Sequence, residues 1–218
     1  MIIGITGGIG SGKSVVSRVL RCNGFPVYDC DSSAKWLMTH DEGLKSSLMT
    51  KFGERIYYPD GSLNRKLLAS MIFSDKEARE FVNNVVHLTV RNDILKRASE
   101  IQGKFFIESA ILATGGLSEY CERVWIVTAP IDQRIKRVEL RDGMTSEEIN
   151  KRIESQNEEM QAIKELHPVE LENDGKTALL PKILKLAGVI NNNTAKIYEA
   201  NQEFIIQTEA LTVNCSLQ

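Results

Sequence analysis

The feature that most constrains the fold of this chain is the stretch GITGGIGSGKSVV at residues 4–16. The apolar run before it, MIIGIT at 1–6, predicts a short buried strand, and KSVVSRVLRC at 13–22 predicts an amphipathic helix. PVYDCD at 26–31 predicts a second strand. A strand, glycine turn, helix and strand in this order predict a parallel sheet with a right-handed crossover.

Residues 7–14, called the glycine loop below, match the phosphate-binding pattern GxxxxGK[ST] in full. Glycines let main-chain N–H groups approach an anion closely, and the following helix adds its positive end. Lys13 supplies a mobile charge for the β- and γ-phosphates, and the Ser14 hydroxyl is placed to bind Mg²⁺. A glycine-rich turn without a ligand is the alternative, but it does not explain the position between strand and helix. The predicted nucleotide-binding residues are Gly8, Ile9, Gly10, Ser11, Gly12, Lys13, Ser14 and Val15.

Two carboxylates, Asp29 and Asp31, end the second predicted strand, at the sheet edge that faces the ligand in open parallel sheets. Spaced by two residues, they share a face if the strand extends that far. One would orient Mg²⁺, directly or through water, and the other would accept a proton from an attacking hydroxyl. The alternative is a solvated turn with a helix cap before Ser32.

The rest of the chain predicts helices inserted between further strands, followed by a tail of low information content after about residue 189. Thr145 and Glu148 form the sequence pattern of a capping box. The predicted elements are helices within 32–102, strands at 104–112, 123–130 and 167–174, charged helices over 131–165, and a terminal helix over 177–188.

A basic helix follows the strand at 123–130 and carries Arg134, Lys136, Arg137 and Arg141. Arg137 and Arg141 are four residues apart and share a face, from which a guanidinium pair could stabilise the transferring phosphoryl group. Arg134 and Lys136 are expected to point to solvent. A solvated charged helix is the alternative.

Other candidate residues lie outside the glycine loop. Arg65 follows a turn and could contact an anionic acceptor, and Asn173 could contact an adenine ring. His87 is either a substrate contact or a structural residue. Glu108 lies in a predicted buried strand, where a charge is costly unless it is paired, and we expect it at the end nearest the ligand.

Several classes of protein are excluded by what the sequence lacks. It has no DxxG or NKxD motif of a GTPase, and the strand at 123–130 lacks the acidic end of a mechanical ATPase. The net charge of −2 gives no case for nucleic acid or membrane binding, and the four cysteines show no zinc-site spacing. With neither a signal-peptide pattern nor a membrane span, a cytoplasmic protein is expected. A small-molecule kinase fits best, and a regulatory nucleotide-binding protein is the alternative from another class.

The chain resembles dephospho-coenzyme A kinases over about residues 2–188. The resemblance is carried by ITGGIGSGKS, DCDSSAK, FGERIYYPDGSLNRKLLASMIF, VVH at 85–87, IKRVELRDGMTSEEINKRIESQ and ENDG at 172–175. Two departures stand out: Leu88 follows His87 where the family often has proline, and AILAT at 110–114 ends in Thr114 where the family often has an acid.

The resemblance implies transfer of the ATP γ-phosphate to the ribose 3′-hydroxyl of dephospho-coenzyme A, the final step of coenzyme A synthesis. By position, Asp31 matches the family's carboxylate near the acceptor hydroxyl, Arg137 and Arg141 match its lid arginines, and residues 6–14 match its ATP loop. The catalytic candidates are Asp31, Lys13, Arg137 and Arg141. The substrate-binding candidates are Thr6, Asp29, Asp31, Arg65 and His87.

The expected fold is an α/β P-loop NTPase-type parallel sheet flanked by helices. We expect one domain over 1–218, with a core at about 1–31, 103–136 and 166–190, a helical acceptor-binding insertion at about 32–102, and a helical lid at about 137–165. ATP and Mg²⁺ are the expected cofactors, dephospho-coenzyme A the expected partner, and a monomer or weak homo-oligomer the expected state. The alternative function is another small-molecule P-loop kinase, with a nucleoside or nucleoside monophosphate as acceptor.

Overall fold

A single parallel sheet flanked by helices organises residues 1–192, which the computed structural model describes. Its strand order is β2-β3-β1-β4-β5, so the first strand lies in the middle. Gly4 of β1 is aligned with Ile107 on one side and Val124 on the other. This sheet confirms the predicted fold class. The strands are β1 (Ile2–Thr6), β2 (Val27–Asp29), β3 (Phe105–Glu108), β4 (Arg123–Thr128) and β5 (Val169–Glu172).

The helices follow the sequence pattern closely, and the first one has the predicted bounds. The capping box at Thr145 and Glu148 is present, with both of its reciprocal hydrogen bonds. The helices are α1 (Lys13–Cys22), α2 (Cys30–His40), α3 (Glu42–Phe52), α4 (Arg65–Phe73), α5 (Lys76–Glu100), α6 (Ile131–Asp142), α7 (Ser146–Ser155), α8 (Asn157–Glu165) and α9 (Leu179–Ala187).

The strands predicted at 26–31, 104–112, 123–130 and 167–174 are all shorter in the structure, and for the first two a side chain explains where the strand ends. The strand predicted at 26–31 ends at Asp29, because the Asp29 carboxylate accepts the Ser32 N–H and starts a helix at Cys30. The strand predicted at 104–112 ends at Glu108, because the Ser109 hydroxyl accepts the Ile111 N–H and turns the chain. Most of the predicted tail after 189 lies outside the described residues.

The chain forms two compact units. The first contains Met1–Tyr28 and the chain from Gly103 onward, and includes the centre of the sheet. Its core packs α1 and α9 against the sheet, with Trp125 and Phe106 fully enclosed and their rings 5.2 Å apart. Burying large apolar side chains of this kind stabilises a fold by about 1.5–3 kcal/mol each. This core holds β1 and α1, and therefore both ends of the glycine loop, in fixed positions.

The second unit, Asp29–Gln102, is helical. Helix α5 is its longest element and packs against α2, α3 and α4 through a buried stripe that includes Ala78, Val82, Val90 and Ile94. Side chains accept main-chain N–H groups at the starts of α2, α3, α4 and α5.

The Tyr57 hydroxyl donates to the Met38 carbonyl at 2.6 Å. Burial, together with the negative charge of Glu42, raises the pKa of Tyr57 to about 12.

Among the described residues, none of the helices has the length and apolar character needed to cross a membrane.

Candidate active site

The glycine loop joins β1 to α1, and its backbone requires glycine at specific positions. Gly10 has φ 75° and Gly12 has φ 101°, in the left-handed region that other residues rarely adopt. A Cβ added to Gly10 would lie 2.5 Å from the main-chain oxygen of Arg134. The loop can therefore pass this close to α6 only without side chains.

The start of α1 is left open toward the glycine loop. No side chain caps this helix end, where Gly12 occupies the cap position. The Val15 N–H donates to the Gly12 carbonyl at 3.0 Å, but the N–H groups before it in a first turn have no partner within their own helix. The helix dipole places partial positive charge beside them. The geometry fits an anion such as a nucleotide phosphate.

Carbonyl groups on the outer side of the glycine loop accept hydrogen bonds from distant side chains. Arg134 Nε donates to the Ile9 carbonyl at 2.8 Å, and Asn173 Nδ2 donates to the Ser11 carbonyl at 2.9 Å. Asn173 follows β5, and its own N–H donates to the Thr128 carbonyl at 2.8 Å. The side chain predicted to contact adenine thus holds the loop in this structure.

Lys13 lies on the loop itself. Its Nζ donates to the Gly7 carbonyl at 2.7 Å and the Gly8 carbonyl at 3.3 Å. These two bonds hold the ammonium group beside the site where the motif places the β- and γ-phosphates. A bound triphosphate would compete with these two carbonyls for the Lys13 ammonium group. A bond from ammonium to an anionic phosphate oxygen is stronger than one to a neutral carbonyl.

The arginines of α6 are arranged differently from the prediction. Arg137 does lie at the loop: its Nη2 donates to the Asn173 carbonyl at 3.0 Å, and its Nη1 is 3.4 Å from the Gly10 carbonyl oxygen. Arg141 is exposed and binds the neighbouring Asp142 carboxylate through two bonds of 2.8 Å. The residue that joins Arg137 at the loop is Arg134, and the expectation that Arg134 points to solvent was wrong.

The physical reason is that residues three apart on a helix also share a face, and α6 begins beside the loop, which brings the earlier pair into contact. Partial burial against the loop lowers the pKa of Arg134. Lys136 is exposed, as expected.

The two aspartates do not alternate on a strand, so that expectation is corrected. Asp29 caps α2: its carboxylate accepts the Ser32 N–H at 3.0 Å and the Ser32 hydroxyl at 2.8 Å. Asp31 lies in the first turn of α2 and is exposed. The capped turn that the sequence left as an alternative is present, and it leaves the two carboxylates in different roles.

The other predicted residues are distributed over both units. Thr6, at the end of β1, is fully buried, and its hydroxyl has no hydrogen-bond partner among the described residues. Glu108 is the last residue of β3, at the carboxyl end of the strand as expected. Arg65 is exposed at the start of α4, and half-buried His87 lies in α5 with a pKa lowered by burial. Both belong to the second unit, as do Asp29 and Asp31.

Two residues that contribute to the site region were not singled out as candidates, although Gln156 is the last residue of the motif at 135–156 that carries the resemblance. Gln156 accepts the Ile9 N–H at 2.8 Å, and Glu159 accepts the N–H and hydroxyl of Thr114 at 2.8 and 2.7 Å. Thr114 is one of the noted departures from the family pattern. Its hydroxyl binds a buried carboxylate here, so the departure has a structural partner.

The residues near the glycine loop fit a magnesium ion that is held mainly by nucleotide and water. The Ser14 side chain is exposed at the start of α1. Within residues 1–192, no group of three or more His, Cys, Asp or Glu side chains could hold a metal by itself. Mg²⁺ bound to nucleotides characteristically takes few protein ligands and keeps phosphate oxygens and waters.

Replacing Gly10 by alanine should damage the glycine loop more than the matched change Gly24→Ala. Gly24 has φ 80°, close to the 75° of Gly10, but an added Cβ would meet nothing within 4 Å. We expect Gly24→Ala to lower the free energy of unfolding by about 1 kcal/mol through backbone strain alone. Gly10→Ala should lower it further and weaken MgATP binding by about tenfold or more, as measured by denaturant unfolding and calorimetry. Equal effects of the two substitutions would contradict the proposed close approach.

Comparisons with known proteins agree with this geometry. The family model of dephospho-CoA kinase matches residues 1–178. A dephospho-CoA kinase of Porphyromonas gingivalis is 40% identical over 185 residues, which cover 84% of this chain and 91% of the relative. One of Bacteroides fragilis is 36% identical over 186 residues, covering 84% and 90%.

Solved structures are similar over nearly the same length. A crystal structure of a Thermus thermophilus protein has a TM-score of 0.71 at 34% identity, covering 88% of this chain and 98% of that chain. Dephospho-CoA kinase from Campylobacter jejuni has a TM-score of 0.64 at 21% identity, covering 88% and 98%, and supports the fold. With a family model that spans most of its length and relatives at this level of identity, the chain belongs to the dephospho-CoA kinase family and is a phosphotransferase that acts on an alcohol group.

Proposed function

We propose that this protein transfers the γ-phosphate of ATP to the ribose 3′-hydroxyl of dephospho-coenzyme A, giving coenzyme A. The proposal is carried by a glycine loop that leads into the uncapped start of α1, in a chain that matches the dephospho-CoA kinase family model over residues 1–178. The alternative acceptors, a nucleoside or a nucleoside monophosphate, are not favoured by these relatives. An acceptor panel with ADP release as readout tests this directly, and faster turnover with adenosine or AMP than with dephospho-coenzyme A would refute it.

The glycine loop would bind the triphosphate mainly through its main chain. Arg134 and Asn173 bind the Ile9 and Ser11 carbonyls, the Ile9 N–H donates to Gln156, and the Ser11 N–H donates to the Gly8 carbonyl. The remaining N–H groups of the loop and of the start of α1 are the ones that would face the phosphates. Lys13 would leave the Gly7 and Gly8 carbonyls and bind the β- and γ-phosphates. Its positive charge would then stabilise the negative charge that spreads over the γ-phosphoryl oxygens during transfer.

Ser14 is our proposed protein ligand for Mg²⁺, which would neutralise phosphate charge in the bound nucleotide. Asp29 or Asp31 would contact the ion through a water molecule. Ser14→Ala should raise the Mg²⁺ concentration for half-maximal turnover by about tenfold or more, since a lost bond to a charged group costs ~1.5–3 kcal/mol. The exposed Ser99 provides the control substitution, Ser99→Ala. A Mg²⁺ dependence that stays the same in both variants would exclude Ser14 as a ligand.

Asp31 is our proposed general base for the acceptor hydroxyl. Both carboxylate oxygens of Asp29 already accept bonds from Ser32 and begin α2, which gives that residue a structural role. The Asp31 carboxylate is exposed in the first turn of the same helix, where it is available to a substrate. The different surroundings of the two carboxylates favour Asp31 over Asp29 for proton transfer.

Substituting each aspartate by asparagine separates these roles. Asparagine caps a helix as well as aspartate does, so Asp29→Asn should keep α2 and most of the turnover. Asp31→Asn should lower kcat by about 10²–10⁴-fold, the range typical of a lost general base, while the affinity for MgATP changes little. Steady-state kinetics and nucleotide titration measure both quantities. Near-normal turnover of Asp31→Asn would show that another group accepts the proton.

The helical segment at about 32–102 is our proposed acceptor-binding insertion, with Arg65 and His87 as candidate contacts. Support comes from a cavity of about 450 Å³ between α2, α3 and α5. Its wall combines apolar Leu37, Leu44 and Val85 with polar groups such as Lys96. Dephospho-coenzyme A has both apolar and charged parts, so a wall of mixed character suits it.

The segment at about 137–165 is our proposed lid, which would exclude water during transfer. Arg141 lies on it, and the exposed Asp142 partner holds that side chain only weakly because solvent screens surface ion pairs. Arg141 and Arg137 remain candidates for stabilising the transferred group. The single-domain organisation, the cytoplasmic location and the monomeric or weakly oligomeric state stay predictions from the sequence.

A further inference from the structure

The main chain of Ile9, in the middle of the glycine loop, is bound on both sides by distant side chains. Its N–H donates to Gln156 Oε1 at 2.8 Å, and its carbonyl accepts from Arg134 Nε at 2.8 Å. These two bonds act on consecutive peptide units, because the N–H belongs to the Gly8–Ile9 peptide and the carbonyl to the Ile9–Gly10 peptide. Together they determine the orientation of the loop backbone at Ile9.

Gln156 is held in place by the backbone around it. It ends α7 and precedes α8, with φ −94° and ψ 0°, and its carbonyl accepts the Met160 N–H at 3.0 Å. The residue is partly buried, and its contact with Ile9 joins positions 147 apart in the sequence. A glutamine side chain loses considerable rotamer freedom when it is fixed in this way, so the position must be supported by its surroundings.

Glu159 provides that support one turn later. Its side chain is only 3% exposed, and its carboxylate accepts the Ala113 N–H at 2.9 Å, the Thr114 N–H at 2.8 Å and the Thr114 hydroxyl at 2.7 Å. Charge-assisted bonds to a carboxylate are strong, and without them a buried charge would be costly. The carboxylate therefore fastens the start of α8 to the turn that follows β3.

We propose that Gln156 is a positioning residue for the nucleotide loop, and that Glu159 and Thr114 fix Gln156 for this task. The Gln156 carboxamide orients the Ile9 peptide before nucleotide arrives, so less of the binding free energy is spent on ordering the loop. The inference rests on the proposed ATP-dependent function. It also divides the proposed lid, because residues 156–159 belong to the fixed nucleotide site and any closing motion is confined to residues before Gln156.

The test compares Gln156→Ala with Gln161→Ala. Gln161 is exposed on α8, one turn beyond the contact, and is the matched control. Titration of an unreactive MgATP analogue should show about three- to tenfold weaker binding for Gln156→Ala and unchanged binding for Gln161→Ala, the effect expected for one hydrogen bond. The KM for ATP should rise by a similar factor, whereas the KM for dephospho-coenzyme A and the thermal midpoint of unfolding should stay close to the parent values.

A second pair of variants tests the link to Glu159. Glu159→Gln replaces one accepting oxygen with a donating NH₂ group that faces the main-chain N–H donors, so Gln156 should lose its support and nucleotide binding should weaken. The double variant Gln156→Ala/Glu159→Gln should bind no more weakly than the weaker single variant, because both changes remove the same effect. Additive losses would contradict the link.

Two further outcomes would overturn the proposal. Equal affinities of the parent, Gln156→Ala and Gln161→Ala would show that the contact does not position the loop. Tighter binding by Gln156→Ala would show that the carboxamide competes with a phosphate oxygen for the Ile9 N–H. A parent protein that binds no nucleotide would instead refute the proposed function, and so the two failures can be told apart.

Discussion

The site depends on a loop of main chain whose carbonyls are bound by side chains, while the N–H groups that are not bound to Gln156 or to the loop itself stay available for a ligand. Unpaired carbonyls in a partly buried turn are unfavourable, and they would draw the loop toward other conformations. Here Arg134 and Asn173 bind the Ile9 and Ser11 carbonyls, and Lys13 binds those of Gly7 and Gly8. The donors come from α6, from the end of β5 and from the loop's own lysine, so the parallel sheet and its helices serve to bring them together.

This arrangement explains why side chains far apart in the sequence belong to one site. The core around Trp125 and Phe106 fixes β1 between β3 and β4, which places the loop beside the ends of the neighbouring strands. Asn173 follows β5 and α6 follows β4, and parallel strands all end at the same edge of the sheet. The main-chain approach of α6 to Gly10 then leaves no room for a side chain. The sheet topology places the glycine loop, its glycines allow α6 to approach, and α6 supplies the arginine that binds the loop.

Much of this was predictable, because it depends on local patterns. The glycine loop, the bounds of α1, the Thr145 capping box and the parallel sheet all follow from motif spacing and hydrophobic periodicity, and the structure confirms them. The errors arose where a local interaction competed with the pattern or where two residues had equivalent spacing. Asp29 ended a strand early by capping a helix, and Arg134 was as well placed as Arg141 to share a face with Arg137. The contacts of Gln156 and Glu159 span 147 and 46 residues, and no local signal could reveal them.

We expect the glycine loop, with its carbonyls bound by side chains, to bind a triphosphate through the N–H groups that Gln156 and the loop itself do not use. The most direct measurement is two-dimensional ¹H–¹⁵N NMR of the labelled protein during titration with an unreactive MgATP analogue. We expect the amide signals of the glycine loop, Gly8 to Ser14, to move most, with saturation that tracks nucleotide binding. Saturable binding that leaves those amide signals in place and moves a different set would contradict it.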